Sequence, residues 1–239
     1  MNTKIKNIVD EFQKSFGDNK EKIIESFEKF YPRLCKTVDQ FEKLLEIKTA
    51  HCNILDLACG TGPVAIEFSK RGHNVTGVDC TPAAIEIAKE LSHKMKVTPT
   101  WIVGDMREIT WSMNMDYVLL WDVIFGVLET DDEHYKVISN ISKSLRPGGR
   151  LLLEVYNKEF AKNHGVQDTF FYNENLNSFV SKDDHKGPIK SLKLYSHEEL
   201  TEMFRTNQLK LVKSLKAWGY PNDPEGPPWR ADYFIAEKI

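Results

Sequence analysis

Residues 54–63 constrain this chain more than any other segment, because an apolar strand runs directly into a turn with two glycines that opens a helix at Pro63. Glycine at positions 60 and 62 lets a small molecule approach the main chain closely. The helix start supplies unpaired N–H groups and the positive end of a helix dipole, which suit an anionic group. Asp79 ends the next apolar run, where its carboxylate suits two ribose hydroxyls. Together these features predict a nucleoside site.

Further motifs stand at the ends of later predicted strands. Asp56, Ala58 and Cys59 precede the glycine turn, Gly104-Asp105-Met106 closes a third strand, and residues 145–150 lead into a fifth. This series resembles the motifs of the class I S-adenosylmethionine-dependent methyltransferases, whose first-strand signature has the form D-x-A/G-C-G-T-G. The resemblance runs from about residue 50 onward and implies a methyltransferase that uses S-adenosyl-L-methionine as its cofactor.

The resemblance implies a role for the matched positions. Main-chain groups around Gly60 and Gly62 would contact the methionyl end of the cofactor, and Asp79 would hold the ribose. Asp105 and the Met106 main chain would meet the adenine edge. The full predicted set of cofactor-binding residues is Asp56, Ala58, Cys59, Gly60, Thr61, Gly62, Asp79, Cys80, Asp105, Met106, Trp121, Asp122 and Tyr31.

The other members of this set have more general roles. Asp56 would orient the first turn or the cofactor amine, and the strand end at Trp121 and Asp122 would face the methionyl amine. Cys80 would flank the adenine ring, and Tyr31, on the N-terminal helices, would approach the cofactor. No catalytic base is predicted, because each of the four candidates on the acceptor side suits packing or capping better than accepting a proton. They are Tyr156, His134, Tyr220 and Arg230.

Two other functions fit the same glycine turn. The pattern Gly60-x-Gly62-x-x-Ala65, with an acidic residue about 20 positions later, also satisfies the dinucleotide-binding fingerprint of an NAD(P)-dependent oxidoreductase. A non-catalytic nucleoside-binding protein would carry the same site. The residues around Asp56, Asp105 and Pro147 fit the methyltransferase pattern and have no role in the dinucleotide fingerprint, so they favour the methyltransferase.

Alternating patterns predict the fold. Strands are expected near residues 52–57, 74–78, 98–103, 115–121 and 150–156, with helices near 63–71, 82–94 and 131–145. Such alternation is typical of a parallel sheet with helices on both faces. Residues 209–217 and 233–237 read as two last strands in antiparallel order, because the linker between them is short and rich in proline. The prediction is a Rossmann-like, seven-stranded, mostly parallel α/β sheet with an antiparallel last strand.

Two regions flank or interrupt this core. Residues 1–49 carry apolar positions at helical spacing and predict an N-terminal cap of two or three amphipathic helices. Residues 50–239 form the predicted S-adenosylmethionine-binding domain. An insert near residues 157–190 breaks the pattern and is expected to shape the acceptor pocket. A Phe125-Gly126 pair and Trp229-Arg230 match small-molecule enzymes of the family.

The net charge and one strand-end sequence indicate which class of molecule accepts the methyl group. A formal net charge of −3 and a pI of about 6.2 weigh against binding to a phosphate backbone, so nucleic acid is not an expected partner. Residues 121–124 also lack the Asp/Asn-Pro-Pro-aromatic sequence of amino-directed DNA methyltransferases. A small-molecule acceptor is therefore expected, methylated on oxygen, nitrogen or sulfur, and the sequence leaves the oligomeric state open.

Hydropathy and the spacing of cysteines and histidines bear on the cellular location and on disulfide or metal sites. No apolar run approaches the roughly 18 residues that span a bilayer, and the N-terminus is charged, so no membrane partner and a cytoplasmic location are expected. The four cysteines include no C-x-x-C pair and the histidines show no i,i+4 pairing, so neither a disulfide framework nor a metal site is predicted.

Overall fold

The computed structural model describes residues 3–109, 114–122, 124–164, 170–173, 178–181, 191–217 and 231–239. Its helices are α1 (Thr3–Leu45), α2 (Pro63–Lys70), α3 (Pro82–Met95), α4 (Asp131–Ser144), α5 (Lys158–His164) and α6 (His197–Thr206), with a 3-10 helix at Ile124–Val127. Its strands are β1 (Asn53–Leu57), β2 (Asn74–Asp79), β3 (Thr100–Val103), β4 (Met115–Leu120), β5 (Leu145–Tyr156), β6 (Phe170–Asn173), β7 (Ser178–Ser181), β8 (Ser191–Lys193), β9 (Leu209–Ala217) and β10 (Ala231–Lys238).

The large sheet has the strand order β3, β2, β1, β4, β5, β10, β9. Strands β1 to β5 are parallel to one another, whereas β10 runs antiparallel to β5 on one side and to β9 on the other. This confirms the predicted seven-stranded, mostly parallel sheet with a reversed last strand. The segment that joins β9 to β10 lies outside the described residues, and it contains Tyr220, Trp229 and Arg230.

Helices cover both faces of the sheet because side chains alternate between the faces along each strand. Leu55 and Leu57 of β1 belong to the hydrophobic cluster that includes α4 and α6. Ile54 belongs to the opposite cluster, with Val38 and Phe41 of α1 and residues of α2. The sheet therefore separates two cores, and the ends of its strands are the places where polar groups can meet.

The N-terminal cap is one helix, so the prediction of two or three separate helices is wrong. Helix α1 runs through Pro32 without a break. A proline inside a helix is destabilising by about 3 kcal/mol. Buried residues on both sides of Pro32, among them Phe27 and Phe41, pack on the domain below and offset that loss. Local sequence signals alone could not show this tertiary contribution.

The insert is more regular than its composition indicates. Residues 158–164 form α5, and β6, β7 and β8 form a separate three-stranded antiparallel sheet. The small sheet contacts the 3-10 helix, because Leu192 of β8 and Tyr172 of β6 pack around Val127. No helix in the described parts of the chain combines the length and the apolar character needed to cross a membrane.

Candidate functional site

A cavity of about 200 Å³ lies at the carboxyl ends of the parallel strands. The strand order reverses between β1 and β4, and ligands of open α/β sheets bind in the crevice at such a switch point. The cavity is lined by Ile8, Val9, Phe12, Phe16, Ala58, Gly60, Asp79, Cys80, Thr81, Gly104, Asp105, Met106, Trp121, Asp122, Ile124, Val127 and Leu128. Most of the predicted cofactor residues are therefore together in one place.

The two glycines of the turn have different roles. Gly60 lines the cavity with φ of 54°, and a Cβ built on it meets no atom within 4 Å. Gly62 does not line the cavity; it caps α2 with φ of 72°, and a Cβ there would lie 2.1 Å from the ring of Trp101. Gly60 thus leaves space for a ligand, whereas Gly62 leaves space for a tryptophan.

Trp101 on β3 is a structural residue that the sequence analysis missed. A Cβ on Gly77 would lie 2.2 Å from its ring, so the indole sits in a notch between Gly62 and Gly77. Its Nε1 donates to Ser92 Oγ at 3.1 Å. The indole thereby braces the glycine turn against β2 and α3, and a glycine pair facing a tryptophan on the next strand was the available signal.

Asp79 holds the glycine turn. Its Oδ2 accepts the Gly60 N–H at 2.8 Å and its Oδ1 accepts the Thr81 N–H at 2.8 Å. The side chain is nearly buried and borders the cavity. Each carboxylate oxygen has a further lone pair available to a ligand hydroxyl. Asp79 can therefore fix the turn and grip a ribose with the same carboxylate.

Asp56 lies beneath the turn and not on the cavity wall. It is fully buried, and neither carboxylate oxygen has a hydrogen-bond partner among the described residues. Burial, and then the charge of Asp79, raise the pKa of Asp56 from 3.8 to about 8, although Ala65 and Trp121 act in the opposite direction. The predicted part of Asp56 in orienting the turn fits this place better than direct contact with a ligand.

Replacing Asp56 with Asn is expected to stabilise the protein at alkaline pH. A raised folded-state pKa means that the folded state keeps a proton that the unfolded chain releases between pH 3.8 and about 8. The free energy of unfolding therefore falls across that window, and the variant is free of this loss. We expect a gain of about 1–2 kcal/mol near pH 8.5, the scale of one unpaired buried polar group, and less near pH 5.

Thermal unfolding of both proteins from about pH 5 to 9 measures this gain. Asp116→Asn is the matched control, because Asp116 accepts from Asn53 N at 2.7 Å and from Arg146 at 2.6 Å, so its loss should destabilise throughout. An Asp56→Asn difference that stays constant with pH, or that favours the parent protein at high pH, would contradict the burial argument.

Asp105 borders the cavity at the end of β3 and is paired with Arg107. Arg107 Nη2 lies 2.6 Å from Asp105 Oδ2, and the Arg107 N–H donates to Oδ1 at 2.9 Å. Burial acts to raise the pKa of Asp105, but the hydrogen bonds from Arg107 outweigh it and lower the pKa. Arg107 also pairs with Glu133, and Asn140 donates to the Arg107 carbonyl at 2.7 Å. The loop bearing Asp105 and Met106 is thus held in place, with an ionised carboxylate at its start.

The end of β4 contributes a strained aspartate. Asp122 has φ of 61°, and its N–H donates to Glu154 Oε2 at 2.7 Å. A positive φ is uncommon in residues other than glycine and is often found at functional sites. Trp121 and Asp122 both line the cavity, as do the apolar residues Ile124 and Val127 of the 3-10 helix.

Helix α1 supplies a cavity wall that the sequence analysis did not assign. Ile8, Val9, Phe12 and Phe16 line the cavity from one face of the helix, and the rings of Phe12 and Phe16 stack with centroids 5.9 Å apart. Gln13 Oε1 accepts the Ala83 N–H of α3 at 2.9 Å. The helical period of these residues was visible in the sequence, but the surface that it covers was not.

The remaining predicted residues divide between the cavity and its surroundings. Ala58 and Cys80 line the cavity, and burial, then the charge of Asp79, raise the pKa of the Cys80 thiol to about 11. Cys59 is buried outside the lining, with its Sγ 3.7 Å from the Gly60 carbonyl oxygen. Thr61 is also outside the lining. Burial also raises the pKa of Cys59, so both thiols are protonated near neutral pH.

Tyr31 lies away from the cavity. Its hydroxyl donates to Glu67 at the interface of α1 and α2, and Lys70 Nζ lies 4.7 Å from its ring centre. Glu67 also accepts from Arg71 Nε at 2.8 Å. This position does not support the predicted contact between Tyr31 and a cofactor; the tyrosine instead ties two helices together.

Replacing Tyr31 with Phe is therefore expected to reduce stability and leave cofactor affinity unchanged. Loss of the hydroxyl leaves Glu67 with one donor fewer, and we expect a loss of about 0.5–1.5 kcal/mol, the range for one hydrogen bond. Urea unfolding measures the loss, and calorimetric titration with S-adenosylhomocysteine measures affinity. Phe12→Ala, which alters the cavity wall on the same helix, is the comparison that should weaken binding. A tyrosine-to-phenylalanine change that weakened binding about tenfold would restore the sequence prediction.

The candidate bases do not reach the cavity within the described structure. His134 is fully buried, its Nδ1 lies 2.7 Å from the Thr130 carbonyl oxygen, and its ring packs on Phe125 and Tyr195. Burial lowers the pKa of His134. Tyr156 packs beside Val127 and is absent from the cavity lining, and the other two candidates lie outside the described residues. No group of three or more metal-ligating side chains occurs among the described residues.

Comparison with known proteins adds to this geometry. Residues 54–149 match the family described as a methyltransferase domain. A Bacillus subtilis protein that carries the name methyltransferase is 31% identical over 121 residues, which cover 49% of this chain and 48% of that protein. The ubiquinone biosynthesis O-methyltransferase of Rickettsia akari is 26% identical over 199 residues, covering 80% of this chain and 73% of that protein.

A solved structure shares the fold. The S-adenosylmethionine-dependent methyltransferase of Clostridium acetobutylicum aligns with a TM-score of 0.67 and 14% identity, over 87% of this chain and 92% of that one. The matched part of this chain spans about half the length of two curated relatives: 47% of the Geobacillus sp. protein and 48% of the Bacillus subtilis protein.

A mostly parallel α/β sheet with a glycine turn and acidic strand ends at its carboxyl edge is typical of the Rossmann-like class of nucleoside-binding proteins. Within that class, the chain has the strand order described above with a reversed β10. Residues 54–149 match the methyltransferase-domain family, and the fold is that of the S-adenosylmethionine-dependent methyltransferases.

Proposed function

We propose that this chain binds S-adenosyl-L-methionine in the cavity and transfers its methyl group to oxygen, nitrogen or sulfur of a small molecule. The observation that carries the proposal is the joint placement of Gly60, Asp79 and Asp105 along one cavity. They stand at the ends of three neighbouring strands, β1, β2 and β3. An extended nucleoside with an amino-acid tail needs contacts in that order.

The residues fit this cofactor on structural grounds. The open space at Gly60 admits the methionyl end next to bare main chain. Asp79 faces the cavity with free lone pairs for ribose hydroxyls, and the ionised Asp105 can accept from an adenine amino group. Trp121 and Asp122 at the end of β4 would face the methionyl amine. The remaining cofactor contacts proposed are Ala58, Cys80 and Met106, with Asp56 and Gly62 supporting the turn from below.

The cofactor would supply a methyl group on a positively charged sulfur: an acceptor lone pair forms the new bond, and the broken bond leaves its electrons on sulfur. The protein then has two tasks, to align the reactants and to exclude water. The α1 residues Ile8, Val9 and Phe12 would exclude water from above. We propose residues 1–49 as this cap and residues 50–239 as the cofactor-binding domain. The name of the Rickettsia akari relative supports an acceptor of small-molecule type.

Calorimetric titration of the full chain tests the proposal. S-adenosylmethionine and S-adenosylhomocysteine should bind with about micromolar Kd, and NAD should produce no heat. A nicotinamide-linked response without S-adenosylmethionine binding would instead support the oxidoreductase. Binding with no S-adenosylhomocysteine formed from any small-molecule fraction would support the non-catalytic nucleoside-binding protein.

A further inference from the structure

Part of the cavity lining lies beyond the proposed cofactor contacts. Along the carboxyl edge, the strand order assigns Asp105 to β3, Asp79 to β2 and Gly60 to β1, and β4 comes next. A cofactor laid over β3, β2 and β1 would bring its reactive end toward β4. The acceptor compartment is therefore the part of the cavity between Ile124–Val127, Leu128 and the start of α1.

The walls of this compartment are branched apolar side chains. Ile124 and Val127 of the 3-10 helix and the following Leu128 line the cavity, and Ile8 and Val9 of α1 line the same cavity. Val127 and Leu128 are almost fully buried, and Ile8 and Val9 are each only 8% exposed. Apolar walls of this kind gain free energy by burying apolar surface, at about 25 cal/mol per Å².

The 3-10 segment is fixed from behind, so the wall is preformed. Gly126 lies so close to β8 that a Cβ on it would come within 2.3 Å of the Lys193 carbonyl oxygen. Asp131, three residues beyond Leu128, accepts from Tyr195 at 2.9 Å and lies 2.5 Å from Lys193 Nζ. The β8 strand of the insert thus sets where Ile124 and Val127 stand.

The charges around the compartment disfavour an anion. Lys193, behind the wall, is neutralised by Asp131, and Arg107, behind the adenine end, is shared between Asp105 and Glu133. The charged side chains among the described lining residues are three carboxylates: Asp79, Asp105 and Asp122. A carboxylate or phosphate on the acceptor would be repelled by these groups and unpaired against the apolar wall.

We infer that the acceptor has an uncharged, apolar body that packs on Ile124, Val127 and Leu128, with no carboxylate or phosphate beside its reacting atom. Ile124 and Val127 are the specificity-determining residues, and Gly126 positions them. This inference rests on the proposed function, because it takes the cofactor to occupy the other end of the cavity.

Two matched phenols test the inference. The full chain is saturated with S-adenosylhomocysteine, and 4-methylphenol or 4-hydroxybenzoate is titrated by calorimetry at neutral pH. The two probes share a ring and a hydroxyl and differ in the neutral methyl or anionic carboxylate. We expect 4-methylphenol to bind at least about tenfold more tightly. Equal binding, tighter binding of the carboxylate, or no detectable binding of either phenol overturns the inference.

Alanine variants of the wall residues test whether the wall binds the acceptor. Ile124→Ala removes part of the wall and should weaken 4-methylphenol binding about tenfold, with the affinity for S-adenosylhomocysteine changed less than about twofold. Val127→Ala should act in the same direction. Val212→Ala, at a position on β9 that is 44% exposed, is the control and should leave the affinity for both ligands unchanged. Unchanged 4-methylphenol binding in both wall variants contradicts the inference, whereas failure of S-adenosylhomocysteine to bind the parent protein contradicts the proposed function itself.

Discussion

Gly62→Ala is expected to destabilise the protein by about 2–5 kcal/mol. The new methyl group would lie 2.1 Å from the Trp101 ring, and overpacking of this kind costs about 1–3 kcal/mol. The backbone at Gly62 also has φ of 72°, and a left-handed conformation adds about 1–2 kcal/mol for a residue with a Cβ. Urea unfolding of the purified variant measures the sum.

Two neighbouring glycines separate the two contributions. Gly77→Ala places a methyl 2.2 Å from Trp101 without a positive φ, so it should show the clash alone. Gly60→Ala has φ of 54° and open space, so it should show the backbone strain alone and also reduce the room for a ligand. We expect Gly62→Ala to be the most destabilised of the three. A Gly62→Ala protein as stable as Gly60→Ala would show that Trp101 moves aside freely.

Asp79→Ala is expected to weaken binding of S-adenosylhomocysteine by about 1.5–3 kcal/mol, which is about 10- to 150-fold in Kd. The substitution removes a charged acceptor for ribose hydroxyls and releases the N–H groups of Gly60 and Thr81, which the carboxylate holds at 2.8 Å. Asp79→Asn should be intermediate, because it keeps one acceptor oxygen. Calorimetric titration of each folded variant measures the affinities.

Asp116→Asn is the matched control for this prediction. Asp116 also accepts a main-chain N–H, from Asn53 at 2.7 Å. It lies near the amino end of β4, whereas the cavity lies at the carboxyl ends of the strands. Its replacement should lower stability and leave the affinity unchanged. Parent-like affinity in a folded Asp79→Ala protein would remove Asp79 from the proposed site.

The sheet was predictable because its signals are local. The apolar runs that end at Leu57 and Asp79 mark strands whatever the rest of the chain does. Parallel strands bring their carboxyl ends to one edge, so Gly60, Asp79 and Asp105 could be placed together from the sequence.

The rest of the site depends on contacts between distant segments. A glycine that admits a ligand and one that admits Trp101 look alike in sequence, so the packing of Gly62 against Trp101 could not be predicted. Tyr31 has an aromatic ring suited to a nucleoside, but its position on α1 directs it to Glu67. The cavity residues Ile8 and Phe12 showed a helical period and nothing about what they cover, because that is decided by how α1 crosses the finished sheet.

The position of β10 orders the last stage of assembly. During synthesis β9 leaves the ribosome before β10, yet among the described strands its only partner in the sheet is β10. Residues 209–217 must therefore wait, with one edge of the growing sheet exposed at β5, until residues 231–238 arrive and join both neighbours at once. Nascent chains stalled between these two strands should expose that edge to chaperones, and emergence of residues 231–238 should close it.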